Sequence, residues 1–160
     1  MNLLLNILIF YAILIGVNIP APFLGLEFDQ ETQPRLWFAP PGWVIPVVWF
    51  LLFTLLGLAR TKLQQIGATE VTELQGWLIV LAILCATYAY YTLGLAKLTG
   101  ISALWFGLFG NLLVIGLAIL IFLKLFSLSF IVACLVAPVG IWTSFATLII
   151  LAEMRQQSIL

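Results

Sequence analysis

The chain has 160 residues, 64% of them hydrophobic, with six Lys or Arg, six Asp or Glu, no His and no formal net charge. Such a composition lies far outside the globular average and marks a membrane chain. It excludes nucleic-acid binding through a basic surface and leaves no imidazole for general-base catalysis or for metal or haem ligation.

The few charges divide the chain into uncharged runs at 1–26, 36–59, 74–96, 98–123 and 125–152. Each exceeds the roughly 20 residues that a helix needs to cross a hydrocarbon core. A transmembrane barrel would show short alternating segments instead. The pattern predicts an all-α, multi-pass integral membrane protein. Its single domain over 1–160 is a bundle of five transmembrane helices with a long first loop, the spans falling near 3–24, 42–60, 74–96, 101–123 and 127–152.

The first run begins without Lys or Arg and carries Asn2, Asn6 and Asn18, so it reads as a retained helix rather than a secretory signal. Pro20 and Pro22 end it, since proline lacks the N–H and restricts the residue before it. Residues 24–39 form the longest loop, made acidic by Glu27, Asp29 and Glu31 against Arg35. The second span opens on Pro40-Pro41-Gly42-Trp43, and a polar loop over 60–73 follows it. Short turns near Lys97–Gly100 and Lys124–Ser127 make spans three, four and five antiparallel neighbours. Arg60, Lys62 and Lys124 fall on one side and Arg35, Lys97 and Arg155 on the other, a tie that sets no orientation.

Little conventional chemistry is available. Cys85 and Cys134 lie in different apolar runs, without metal-ligand spacing, and read as small buried hydrophobes. No acid sits in mid-span, where a proton relay would need one. Asn111 is the only amide in the middle of the last four spans. Its place is the bundle interior, where an intramembrane amide bonds another helix. Ala82 and Ala86 have the small-residue spacing that permits close helix contact.

Aromatic residues remain. Trp49 and Phe53 are four apart, with Pro46 three before Trp49, on one helical face. Trp142, Phe145 and Ala146 stand at i, i+3 and i+4, with Pro138 one turn earlier. Such stripes either pack as bundle core or wall a cleft. Both tryptophans lie deep in uncharged runs, where helix packing favours Leu or small residues, and a buried indole N–H needs an acceptor. Trp43 and Trp77 open their spans at headgroup depth and read as belt anchors. Trp37, beside Phe38 at the loop end, is either a further anchor or a lid over the cleft.

The two Pro-led segments resemble the signatures of the TspO/MBR family, the tryptophan-rich sensory and translocator proteins once called peripheral benzodiazepine receptors. The residues concerned are Pro40-Pro41-Gly42-Trp43-Val44, Val48-Trp49, Phe53 and Gly57, then Pro138, Trp142 and Phe145-Ala146. The resemblance implies a five-helix protomer, paired as a homodimer, with a ligand cleft open toward the first loop. It implies a porphyrin such as protoporphyrin IX or a related tetrapyrrole as ligand, with a sterol-like molecule as a second class and no obligatory cofactor. Residues matching Pro40, Trp49, Phe53, Trp142 and Ala146 line that cleft in the family; Trp37 and Phe145 join them here as candidates. Phe53 stands where many members have Tyr, Val139 follows Pro138 where Tyr is usual, and the third helix lacks the Asn-x-x-Trp often found there. The cleft is therefore expected to be less polar than is typical.

Three functions compete on these grounds. The first is a membrane receptor or binding protein for a tetrapyrrole or similar flat apolar ligand, in transport or stress sensing. The second is an accessory subunit of a larger membrane complex, supported by the apolar surface and the Ala82/Ala86 spacing. The third is a light-dependent porphyrin-degrading enzyme, for which only tryptophan redox or photochemistry is available.

Overall fold

The computed structural model describes residues 2–27, 36–67 and 70–159, and these contain helices and no strand. Asp29, Glu31 and Arg35 of the first loop lie outside the described residues. In order come α1 (Leu3–Asn18), the short α2 (Pro20–Phe23), α3 (Val44–Ile66), α4 (Glu70–Ala86), a π-helical turn (Tyr90–Gly94), α5 (Leu95–Thr99), α6 (Ala103–Leu128) and α7 (Phe130–Gln156).

Among the described residues, four segments are long and apolar enough to cross a membrane: Leu3–Phe23, Val44–Ile66, Ala103–Leu128 and Phe130–Gln156. A fifth crossing exists if Val71–Ala86 and Tyr90–Thr99, bent by 53° at their junction, form one span. The uninterrupted third span expected over 74–96 is thus replaced by a broken one. The second runs six residues beyond the expected end, through Arg60 and Lys62, because nothing between Gly57 and Gly67 breaks a helix. Gly67 then ends it at φ 69°, a left-handed cap that glycine adopts without strain.

The break has identifiable causes. The Thr87 hydroxyl donates to the Ile83 carbonyl at 2.9 Å and the Thr92 hydroxyl to that of Tyr88 at 2.6 Å. The amides of Tyr90 and Tyr91 both turn to the Thr87 carbonyl, at 3.0 and 3.3 Å. The ladder has slipped, and a wider π turn takes up the difference. The Ala86 carbonyl, which a regular helix would bond to the Tyr90 amide, instead accepts the Asn18 side-chain amide at 3.3 Å. The Tyr90 hydroxyl donates back to the Val17 carbonyl at 2.7 Å. These two bonds join the end of α1 to the broken span.

The helices close into a ring: α1 packs on α3, α3 on α7, α7 on α6, α6 on α4, and α4 back on α1. One core fills it, with Phe10, Phe53, Leu56, Leu78, Ile121 and Val136 fully enclosed or nearly so. Ala82 and Ala86 are buried in this core, so their spacing serves packing inside the protomer and presents no docking surface. Asn111 faces the interior as expected, but its Nδ2 has no hydrogen-bond partner among the described residues. Cys134, read as buried, is exposed on the outer face of α7, whereas Cys85 is buried.

The α1–α3 contact is the closest that glycine permits. A Cβ on Gly57 would come within 2.9 Å of the Ile7 Cα, whereas one on Gly16 would meet nothing within 4 Å. Gly57→Ala is expected to destabilise the bundle by about 1–3 kcal/mol through overpacking. Gly16→Ala should leave it unchanged or slightly more stable. Thermal unfolding of the purified chain in detergent distinguishes the two.

Candidate functional site

Where α1, the start of α3 and the break in the third span meet, they leave a cleft of about 490 Å3. Leu14, Ile15, Asn18 and Ile19 form one wall; Ile45, Pro46, Trp49 and Phe50 form the second; Cys85, Tyr88 and Ala89 form the third. Because α1 and α3 run antiparallel, this is the end of the bundle at which the first loop begins and returns.

Each aromatic wall is held from behind. The Trp49 ring stands edge-on to Phe53 at 6.1 Å, and Phe53 edge-on to Phe10 at 6.4 Å, so the indole is anchored through two rings to the core. Phe50 packs edge-on to Tyr11 at 5.3 Å, and the Tyr11 hydroxyl bonds Thr54 Oγ1 at 2.7 Å. Tyr88 packs on Tyr91 at 5.5 Å, over the Gly107 and Gly110 face of α6, where a Cβ on Gly110 would overlap the Tyr91 ring. The polar groups are few: the Cys85 thiol, the Tyr88 phenol and Asn18, whose Nδ2 is engaged by the carbonyls of Leu14 at 2.8 Å and Ala86 at 3.3 Å.

The residues singled out from sequence are dispersed by the fold. Trp49 lines the cleft. Phe53 is 0% exposed directly behind it. Pro40 is half-buried in the segment leading to α3, and Trp37 is 94% exposed with its ring against Phe38 at 5.5 Å. Trp142, Phe145 and Ala146 are half-buried on α7, with Trp142 and Phe145 in ring contact at 5.7 Å. Trp49 and Trp142 pack partly buried against the same core, so neither ring is turned wholly to lipid. Among these seven residues, Trp49 alone is part of the cleft's lining.

Sequence reasoning did not assign the α1 wall or the third wall to a site. A signal existed for both. Cys85, Tyr88 and Ala89 stand at i, i+3 and i+4, one helical face, and Asn18 is a lone amide at the end of an apolar run. Trp43, 70% exposed at the start of α3, and Trp77, whose Nε1 donates to Glu73 at 2.9 Å, sit as interfacial anchors do. A second groove of about 410 Å3, between α6 and α7, is lined by Ile115, Ala118, Phe122, Gly140 and their neighbours. It has one aromatic side chain and no polar group beyond Ser144, whose hydroxyl already bonds the Gly140 carbonyl. The described residues hold no cluster of His, Cys, Asp or Glu able to bind a metal.

The sequence model of the TspO/MBR family matches residues 12–154. The chain belongs to the TspO/MBR family. No curated protein matches it closely. The family match spans every wall of the cleft, and with the apolar helices it makes the chain a multi-pass integral membrane protein in contact with the lipid bilayer.

Asn18→Leu, which keeps side-chain size and removes the amide, is expected to leave the Ala86 carbonyl without its partner beside the cleft. A loss of about 0.6–1.5 kcal/mol follows. It should appear as a lower unfolding midpoint and as faster hydrogen exchange of amides around residues 86–92.

Proposed function

We propose that this TspO/MBR chain is a membrane receptor that binds a flat, apolar ligand of the tetrapyrrole class in the cleft at Trp49. The observation that carries this reading is the convergence of Trp49, Phe50 and Tyr88, from two different helical segments, on one cavity. Its volume falls within the roughly 300–1,000 Å3 of small-molecule sites, and an apolar lining with a few polar groups is the usual character of such sites. Anchored rings suit a planar ligand because they present fixed faces at little entropic cost. Family membership supports a binding or receptor role in the membrane. A sterol-like ligand would use the same apolar walls, and competition between the two ligands would reveal it. A light-dependent breakdown of porphyrin would start from the same complex.

Purification from a native membrane without added ligand separates this reading from that of an accessory subunit: bound pigment supports the receptor, a stable partner complex the subunit. Pairing into a homodimer would be compatible with either.

Trp49→Leu should weaken protoporphyrin IX several-fold to about tenfold, since aromatic stacking contributes about 0.5–1.5 kcal/mol beyond burial. Trp77→Leu should leave affinity unchanged, and Trp142→Leu should cost less than Trp49→Leu. Titration by porphyrin absorbance measures all three; equal losses at Trp49 and Trp77 would contradict a cleft at Trp49.

Protoporphyrin IX should also bind at least as tightly as haem. The chain has no His, and stacking with exclusion of water hardly senses the metal, whereas axial ligation would add directional energy. The cleft side chains that would challenge this are Cys85 and Tyr88. A haem Soret band of thiolate or phenolate type, lost on Cys85→Ala or Tyr88→Phe, would overturn it.

A further inference from the structure

The end of the bundle opposite the cleft carries an arginine without a counter-ion among the described residues. Arg60 ends the uncharged run 36–59 and is still inside α3, which continues to Ile66. It therefore sits about 9 Å before the helix end, at 1.5 Å per residue, a place from which a long side chain can extend to the headgroups. From Phe50, the nearest cleft residue on α3, it is about 15 Å along the axis.

Its Nε and Nη1 are both buried, and neither has a hydrogen-bond partner among the described residues. The ion pair described at this end joins Lys124 to Glu73 at 3.6 Å, and Glu73 also accepts from Trp77. A guanidinium stays charged at any physiological pH, and a buried charge without acceptors is costly. Arg60 as a whole is only partly buried and its Nη2 is not among the buried atoms, so an acceptor from outside meets the guanidinium at that edge. The surroundings are polar. Asn6, 0% exposed, donates to Thr61 Oγ1 at 2.8 Å and to Gln64 Oε1 at 2.9 Å, and Gln64 donates to Gln75 Oε1 at 3.2 Å. Asn6 Oδ1 itself has no donor among the described residues. Lys62, two residues on, is exposed and adds a second positive charge at the mouth.

We infer that Arg60 is the centre of a binding site for the phosphate of an anionic phospholipid headgroup. The argument is one of complementarity. The guanidinium has no anion among the described residues, its donors match phosphate oxygens, and headgroup phosphates lie within reach of a long side chain near the end of a span. A net anionic lipid is selected over a zwitterionic one because the choline of the latter already neutralises its phosphate and would meet Lys62. The site is separate from the ligand cleft and does not depend on the function proposed for it.

The test uses the full chain in nanodiscs of phosphatidylcholine alone or with phosphatidylglycerol. Phenylglyoxal labelling, mapped by mass spectrometry, reads Arg60 against Arg155. Phosphatidylglycerol should slow labelling at Arg60 and leave Arg155 little changed. In native mass spectrometry, Arg60→Gln should lower retained phosphatidylglycerol about fivefold, and Lys62→Gln by clearly less. The thermal unfolding midpoint of Arg60→Gln in detergent checks that the fold persists; if that variant does not fold, the labelling of the unaltered chain decides alone. Equal labelling of Arg60 in both lipid compositions would overturn the inference. So would equal protection by millimolar inorganic phosphate in pure phosphatidylcholine, which would assign the site to a free anion.

Discussion

A backbone polar group inside a bilayer has no water to turn to, and that constraint organises this molecule. The third span departs from a regular helix at Thr87, and such a departure leaves a carbonyl open in hydrocarbon. The Asn18 amide takes up the Ala86 carbonyl, and the Tyr90 hydroxyl takes up the Val17 carbonyl where Pro20 and Pro22 interrupt α1. The same two bonds hold α1 against the bend. Between them and the start of α3 lies the cleft. The site is thus a consequence of how the chain satisfies its own backbone, and the aromatic rings furnish a space that these hydrogen bonds define.

Rings behind rings give the cleft its rigidity. Trp49, Phe53 and Phe10 form an edge-to-face series from the cleft wall to the core, so moving the indole would disturb a side chain with no exposed surface. Tyr88 is supported through Tyr91 by the glycines of α6. Walls fixed in this way suit a planar ligand, because little ordering remains to be done on binding. At the other end, the Asn6, Thr61, Gln64 and Gln75 network ties α1, α3 and α4 together. The two ends therefore differ in character: one hollow and aromatic, the other polar and basic.

Most of the architecture was legible in the sequence because charge exclusion from hydrocarbon is a strong and simple rule. The runs without charge located the spans, and the Pro-led segments located Trp49 and identified the family. The bend at Thr87 was not legible. It involves no proline; it depends on hydroxyl groups bonding to the preceding turn, which threonine also does inside regular helices. The third wall was missed for that reason, although Cys85, Tyr88 and Ala89 share a helical face. Trp142 shows the converse. Its position in an uncharged run said that it would be enclosed, and it packs on the common core, but helical spacing within α7 carried no information on which neighbour it would meet. Cys134 was misread because an apolar run in a membrane helix has an outward face as apolar as its inward one.

The two native cysteines allow the central claim to be tested without altering the protein. Cys85 lies in the cleft wall and Cys134 on the outer face of α7. Cys85 is buried and reacts slowly, so alkylation of both thiols by a small maleimide is followed over hours, and mass spectrometry reads the rate at each site in the same molecule. If the ligand occupies the cleft at Trp49, saturating protoporphyrin IX will slow alkylation of Cys85 and leave that of Cys134 unchanged. Equal rates at Cys85 with and without porphyrin, under conditions where binding is saturated, would place the ligand elsewhere and contradict the account.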